Sequence, residues 1–278
     1  MLKARKPTNE DGRLKFLLYG DFGTGKTTCA IQFPRSYIFD TERGTAHYAD
    51  ALNKSNSVVL HSANCQEIIE ELVALEKEKH DFKTVIIDSF TMLEADLMVS
   101  LYTKYPSQDD ARVWRDRDRM FRKLLLALLR LDMNVIVVLH QKQKYGKNFE
   151  DLGVTFSGWK NLPYAFDLVL ELQRRGDKRA AVVKKSRYKQ FADGETFDFS
   201  YDLFCEKYGK DRIEKSAVPV VTATAEQVAE LTGLLEKVKL PEGTAEKWLE
   251  KAQVETFAEM STETIGKCIA HVAKILKG

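Results

Sequence analysis

The sequence predicts an α/β fold, a mostly parallel central sheet flanked by helices, followed by a small all-helical segment. Three observations carry this. An apolar strand-like run at 16–19 leads into a glycine-rich loop and then a helix-like run at 27–33. Further short β-favouring runs alternate with helix-periodic stretches, and several end in polar residues: Asp40, Asp88, and the pair His140 and Gln141. From 222 onward only helical periodicity remains.

Gly20, Gly25, Lys26 and Thr27 satisfy the pattern G-x-x-x-x-G-K-[ST] between that first strand and first helix, the context a phosphate loop requires. Several backbone N–H groups must converge on a polyphosphate there. Gly20, Gly23 and Gly25 permit positive φ and close approach. The expected nucleotide-binding stretch is Gly20, Asp21, Phe22, Gly23, Thr24, Gly25, Lys26, Thr27 and Thr28. Lys26 reaches the β- and γ-phosphates, Thr27 ligates Mg²⁺ through its hydroxyl, and the helix opening at Lys26 adds its N-terminal dipole.

Beyond the loop, 36–40 and 57–61 read as short strands, and 65–79 as a helix with Ile68, Ile69, Leu72, Val73 and Leu75 on its apolar face. The run 83–88 is a strand ending in Asp88, the Walker B pattern, with Asp88 expected to hold the Mg²⁺ shell. Two strands separate it from the phosphate loop along the chain, which points to the P-loop branch with a strand inserted between the two motifs and a catalytic glutamate. Helical pattern covers 91–105, breaks at Pro106 and resumes over 109–131. The basic residues of 112–123 alternate with Asp116 and Asp118, as on a solvated, ion-paired face. The strand 134–141 follows, and 142–158 reads as a long connection without periodicity. Strands return at 166–173, 178–185 and near 196–200. Pro219 marks a boundary, and Thr224 with Gln227 forms a capping box for the first tail helix. The organisation expected is a tail at 1–12, a core at 13–215 and a helical domain at 216–278.

Bulk properties narrow the classes. The 278 residues are 30% charged and 44% hydrophobic with a net charge of +2, the profile of a soluble globular protein. Any nucleic-acid surface must therefore come from local clustering. The four cysteines are scattered without a C-x-x-C pair, against a zinc site or disulfide framework and in keeping with a reducing cytoplasm. The first dozen residues lack the apolar run of a signal peptide, and the greasiest stretch, 124–139, is interrupted by Arg130, Asp132 and Asn134. No membrane partner is expected.

Hydrolysis needs a carboxylate to polarise the attacking water. Glu42 and Glu67 both follow strand ends; Glu42 is preferred because it follows its strand more closely. Gln141 is placed to bond the γ-phosphate or the water, with His140 as a packing or tautomer-held residue.

Taken together, 20–28, 39–42, 85–89, 137–141 and 182–187 resemble the RecA-like recombinase ATPases, in particular the small phage members that assist single-strand annealing. The resemblance covers about 14–200. It implies a RecA-like P-loop NTPase core, ATP with Mg²⁺, DNA-stimulated hydrolysis, a homo-oligomer, single-stranded DNA as partner, and an annealing or single-strand-binding protein beside it. It also implies DNA binding by the segment after the polar strand end, here Lys142, Lys144, Tyr145 and Lys147, and γ-phosphate cations acting on a neighbouring subunit, here Lys184, Lys185 and Arg187. Strand alternation places Lys185 and Arg187 on one face and Lys184 on the other. Two other classes fit a phosphate loop: a small-molecule phosphotransferase and a nucleotide-switch adaptor.

Overall fold

A computed structural model describes residues 12–105, 110–215, 223–238, 240–241, 243–252, 254 and 256–277. The expected tail up to Asp11, the break at Pro106 and the boundary at Pro219 lie outside these residues. The chain divides into two compact units, Met1–Val73 with His80–Ala217, and Ala74–Lys79 with Val218–Gly278.

The first unit is built on one mixed sheet. In chain order the elements are β1 (Lys15–Gly20), α1 (Lys26–Ala30), β2 (Ser36–Asp40), α2 (Ala49–Lys54), β3 (Val58–Leu60), α3 (Cys65–Lys77), β4 (Thr84–Asp88), α4 (Phe90–Lys104) and α5 (Asp110–Arg130). They continue with β5 (Asn134–Tyr145), β6 (Asp151–Ser157), α6 (Leu162–Ala165), β7 (Leu168–Arg175), β8 (Lys178–Ser186), β9 (Thr196–Asp198), α7 (Tyr201–Tyr208) and α8 (Lys210–Glu214). The sheet order is β3-β2-β4-β5-β1-β7-β8-β9, with β6 paired to β5. The pairings from β3 through β7 along this order are parallel, whereas β6, β8 and β9 join antiparallel. This is the α/β class with a mostly parallel sheet that the sequence predicts, and β5 is the strand that stands between β1 and β4.

Parallel strands covered on both faces read as unbroken apolar runs, and every residue of β1 is buried. Leu14, Phe16 and Leu18 belong to a core shared with Phe33 and with Phe204 of α7. The rings of Phe16, Phe33 and Phe204 lie within 5.6 Å of one another. A second aromatic set joins Phe90 of α4, Phe121 of α5 and Trp159 after β6.

Two segments depart from expectation. A 3-10 turn (Gly44–Tyr48) and α2 occupy a stretch with no assigned structure. More consequentially, 142–158 is no unstructured connection: β5 continues to Tyr145 and returns as β6, with His140 opposite Ser157 and Tyr145 opposite Asp151. Gly146 N–H donates to Glu150 O across the turn.

At the other end of β1, Lys15 is buried, and its ammonium donates to the carbonyls of Leu128, Leu131 and Met133. Burial pushes its pKa from 10.5 down to about 7; Asp132 and Asp167 oppose that shift. Between these values the unfolded chain holds more protons than the folded one, so stability rises with pH across the window. Chemical denaturation of wild type should show a gain on the order of 1–3 kcal/mol from pH 7 to pH 9.5 that Lys15→Met lacks. Equal pH slopes in the two proteins would refute this.

The second unit holds α9 (Ala225–Lys237), α10 (Thr244–Ala252) and α11 (Thr262–Lys277). Its core is Leu231, Met260, Ile265, Cys268 and Val272. The capping box forms as the sequence predicts: Gln227 N–H donates to Thr224 Oγ1, and Thr224 N–H donates to Gln227 Oε1. Among the described residues no helix is long and apolar enough to cross a membrane.

Candidate nucleotide site

Ligands of a parallel sheet collect beyond the carboxyl ends of its strands. Here β1, β2, β4 and β5 deliver Gly20, Asp40, Asp88 and His140 to that edge. A cavity of about 530 Å³ opens there, lined by the 20–28 loop apart from Thr24, and by Glu42, Tyr48, Asp88, His140 and Gln141.

The loop has the geometry its glycines foretell. Gly23 and Gly25 hold φ of +68° and +86°, a region that L side chains rarely adopt. Gly20 is required for another reason: a Cβ there would fall 2.4 Å from Leu172 O on β7. Thr24 is buried beneath the loop, its hydroxyl donating to Asp21 O at 2.8 Å, and Lys26 Nζ donates to the same carbonyl at 2.8 Å. The helix that follows is shorter than the 27–33 run suggests. With only five residues in α1, few peptide dipoles add up, so the anion site rests on loop amides and Lys26 more than on a helix end.

Thr27 Oγ1 donates to Asp88 Oδ2 at 2.5 Å, bringing both expected metal ligands together. The pair fits Mg²⁺ by chemistry, a hydroxyl and a carboxylate supplying the hard oxygens that ion prefers. Burial raises the Asp88 pKa to about 6, with Glu42 and Asp40 adding to the shift and Thr27 and Lys26 opposing it. A crowded carboxylate of this kind gains from a cation beside it.

Glu42 is set by its neighbours rather than by its own backbone alone. Asp40 accepts from the amides of Glu42, Gly44 and Thr45 and from Thr45 Oγ1, folding 41–45 around one carboxylate. Burial would raise the Asp40 pKa, but those bonds hold it below the ordinary value. Thr41 then ties this turn to β4: Thr41 N–H donates to Asp88 O, and its hydroxyl bridges the backbone of Ser89. Glu42 Oε1 accepts from Ser89 Oγ and lies 2.7 Å from His140 Nε2.

A family model described as an AAA domain matches residues 13–198. The chain belongs to the AAA domain family. Among solved structures, the RadB recombinase is similar at 19% identity over 66% of this chain and 85% of its own, with a TM-score of 0.45. No curated protein matches.

The other sequence-derived candidates fall at three places in this AAA domain. Glu67 is away from the cavity: it sits in the first turn of α3, where it accepts from Ser62 Oγ. Glu67 is not among the residues that line the cavity, whereas Glu42 is. Lys142, Lys144, Tyr145 and Lys147 lie on the exposed β5–β6 hairpin, with Tyr145 60% and Phe149 88% exposed. Lys184 is where the β7–β8 register slips, and it bridges to Glu171 at 3.1 Å. Lys185 donates to the carbonyls of Pro163 and Phe166; Arg187 donates to Asp167 and Tyr164 O.

Sequence reasoning passed over Asp40 as an anchor, as well as Ser89, Tyr48 and Tyr201. Tyr48 OH lies 3.0 Å from Thr28 Oγ1. It also lines a second cavity, about 650 Å³, with Thr28, Ile31, Gln32 and Tyr201. The Asp-x-x-x-x-Thr spacing of 40–45 is a local signal for the anchor. Nothing local marks the tyrosines, since the second cavity joins segments about 150 residues apart in sequence.

Proposed function

We propose that this AAA domain is a Mg²⁺-dependent ATP hydrolase that works on single-stranded DNA as an oligomer, assisting annealing or strand exchange in the cytoplasm. The observation that supports hydrolysis is the convergence of Lys26, Thr27, Asp88 and Glu42 on one cavity. Lys26 meets the β- and γ-phosphates. Thr27 and Asp88 would hold the metal, which would supply charge neutralisation when bound. Glu42 takes the proton of the attacking water, and Gln141 contacts the γ-phosphate or that water. The second cavity shares Thr28 and Tyr48 with the first, and its mixed polar and apolar lining suits the base and ribose.

The DNA assignment draws on the hairpin. Exposed Lys142, Lys144 and Lys147 beside Tyr145 and Phe149 combine phosphate-tracking cations with stacking platforms. For action on a neighbour's γ-phosphate, Lys184 has ammonium protons to spare beyond its bridge to Glu171, and Arg187 stays half exposed, while Lys185 is committed to two carbonyls. Support for the annealing or single-strand-binding partner comes from the sequence resemblance alone.

The deciding experiment measures ATP turnover and molecular mass with and without single-stranded DNA. Turnover should rise with DNA, and binding should weaken with salt at a log–log slope of about −2 for three lysine contacts. ATP bound but not hydrolysed would point to the adaptor class. Phosphate delivered to a small acceptor would point to a phosphotransferase. Absence of any DNA effect at low salt would end the recombination reading.

A further inference from the structure

Glu42 has one carboxylate oxygen fully engaged. Ser89 Oγ donates to Oε1, and His140 Nε2 stands 2.7 Å from that same oxygen. Ser89 Oγ and His140 Nε2 are themselves 3.4 Å apart, so the three groups form a closed triangle. For Nε2 to donate, the ring must carry its proton there.

The triangle is anchored on each side. Ser89 follows directly on Asp88, and its backbone is bridged to Thr41 of the Glu42 turn. Its hydroxyl also accepts from Met92 N–H in the first turn of α4. The His140 backbone N–H donates to Thr91 Oγ1 at 2.9 Å, and that hydroxyl donates onward to Ser157 O at 2.6 Å. The His140 backbone is therefore fixed at the point where β5 leaves the parallel sheet and the hairpin begins. An exposed glutamate without such bonds would sample several rotamers.

We propose that His140 is a positioning residue for Glu42: with Ser89 it clamps Oε1 and leaves Oε2 aimed into the cavity to receive the proton of the attacking water. The inference rests on the hydrolase reading and deepens it. A donor held on a carboxylate sharpens the direction of its free oxygen, and geometry of this kind acts on the chemical step more than on ground-state nucleotide binding. Ser89 supplies the second donor, so loss of the imidazole alone loosens the clamp without opening it.

The test compares wild type, His140→Leu and His140→Gln in steady-state hydrolysis of Mg²⁺-ATP, with binding of a fluorescent ATP analogue and thermal midpoints measured alongside. His140→Leu removes the donor, whereas His140→Gln can return an amide N–H to the Nε2 position. The expected result is a kcat about tenfold lower in His140→Leu, from loss of a bond to a charged group, with most of that loss recovered in His140→Gln. KM, analogue affinity and thermal midpoint should match wild type in both. A His140→Leu enzyme with wild-type kcat would overturn the inference while leaving the hydrolase reading intact. Equal losses in Leu and Gln, or a loss confined to KM, would also overturn it, because a packing residue or a direct phosphate contact would behave in those ways. Failure of wild type itself to bind or hydrolyse ATP would instead remove the reading beneath it.

Discussion

Glu42→Gln should lower ATP turnover by about 10²–10⁴-fold, the usual contribution of a positioned general base. The amide keeps the shape of the side chain and still offers an oxygen to Ser89 and His140, so the turn built on Asp40 stays in place. What it loses is the capacity to take a proton. Nucleotide affinity should hold or improve, because Glu42 is one of the carboxylates that crowd Asp88 and raise its pKa. Removing that charge lets a triphosphate approach a less negative site. Glu67→Gln is the matched control: its carboxylate bonds to Ser62 at the start of α3, so turnover should stay within about twofold of wild type. Equilibrium binding of an ATP analogue together with kcat separates the outcomes. A Glu42→Gln enzyme with undiminished kcat would remove this residue from the chemistry.

The contrast between the two glutamates shows where sequence is informative. Both follow a strand end, and only the distance from that end favoured Glu42. The structure adds what spacing does not carry: Asp40 reaches forward to Thr45 and curls its turn toward β4, while the segment after β3 turns away to begin a helix. The parallel strands were legible because burial on both faces leaves a continuous apolar run, as in β1 and β4. The phosphate loop was legible because its glycines answer to φ and close approach, both local demands.

The hairpin was not legible for the converse reason. Past His140, β5 leaves the covered part of the sheet and turns outward, so residues 142–145 are exposed whichever way they point. Period-two patterning needs one buried face, and none exists there. The register shift between Gln143 and Tyr145 blurs the pattern further. A strand of this kind resembles a loop in composition while holding Lys142 opposite Thr155 and Tyr145 opposite Asp151 on a defined ladder. That distinction bears on the proposed DNA contact, because a ladder would fix the spacing between phosphate contacts and a loop would not.

Lys26→Ala should abolish measurable nucleotide binding, with affinity falling by about 10²-fold or more, since each charge-assisted bond to phosphate is worth roughly 1.5–3 kcal/mol and Lys26 is proposed to serve two phosphates. The side chain is half buried, and burial already lowers its pKa, against the pull of Asp88, Glu42 and Asp21. In the free protein its ammonium donates to a backbone carbonyl, Asp21 O, within the loop. A triphosphate offers it the anionic partner that this carbonyl is not. The same argument makes the fold nearly indifferent to the substitution, because no buried carboxylate loses a hydrogen bond. Calorimetric titration with Mg²⁺-ATP and a thermal melt of the free protein form the test: binding should vanish while the midpoint moves by little. Lys26→Arg should not rescue binding, since a planar guanidinium cannot occupy the compact position of an ammonium between two phosphates. A variant that melts early and binds weakly would mean that Lys26 props the loop itself. One that binds normally would mean that the amides of 20–25 suffice, and that the lysine serves the leaving phosphate alone.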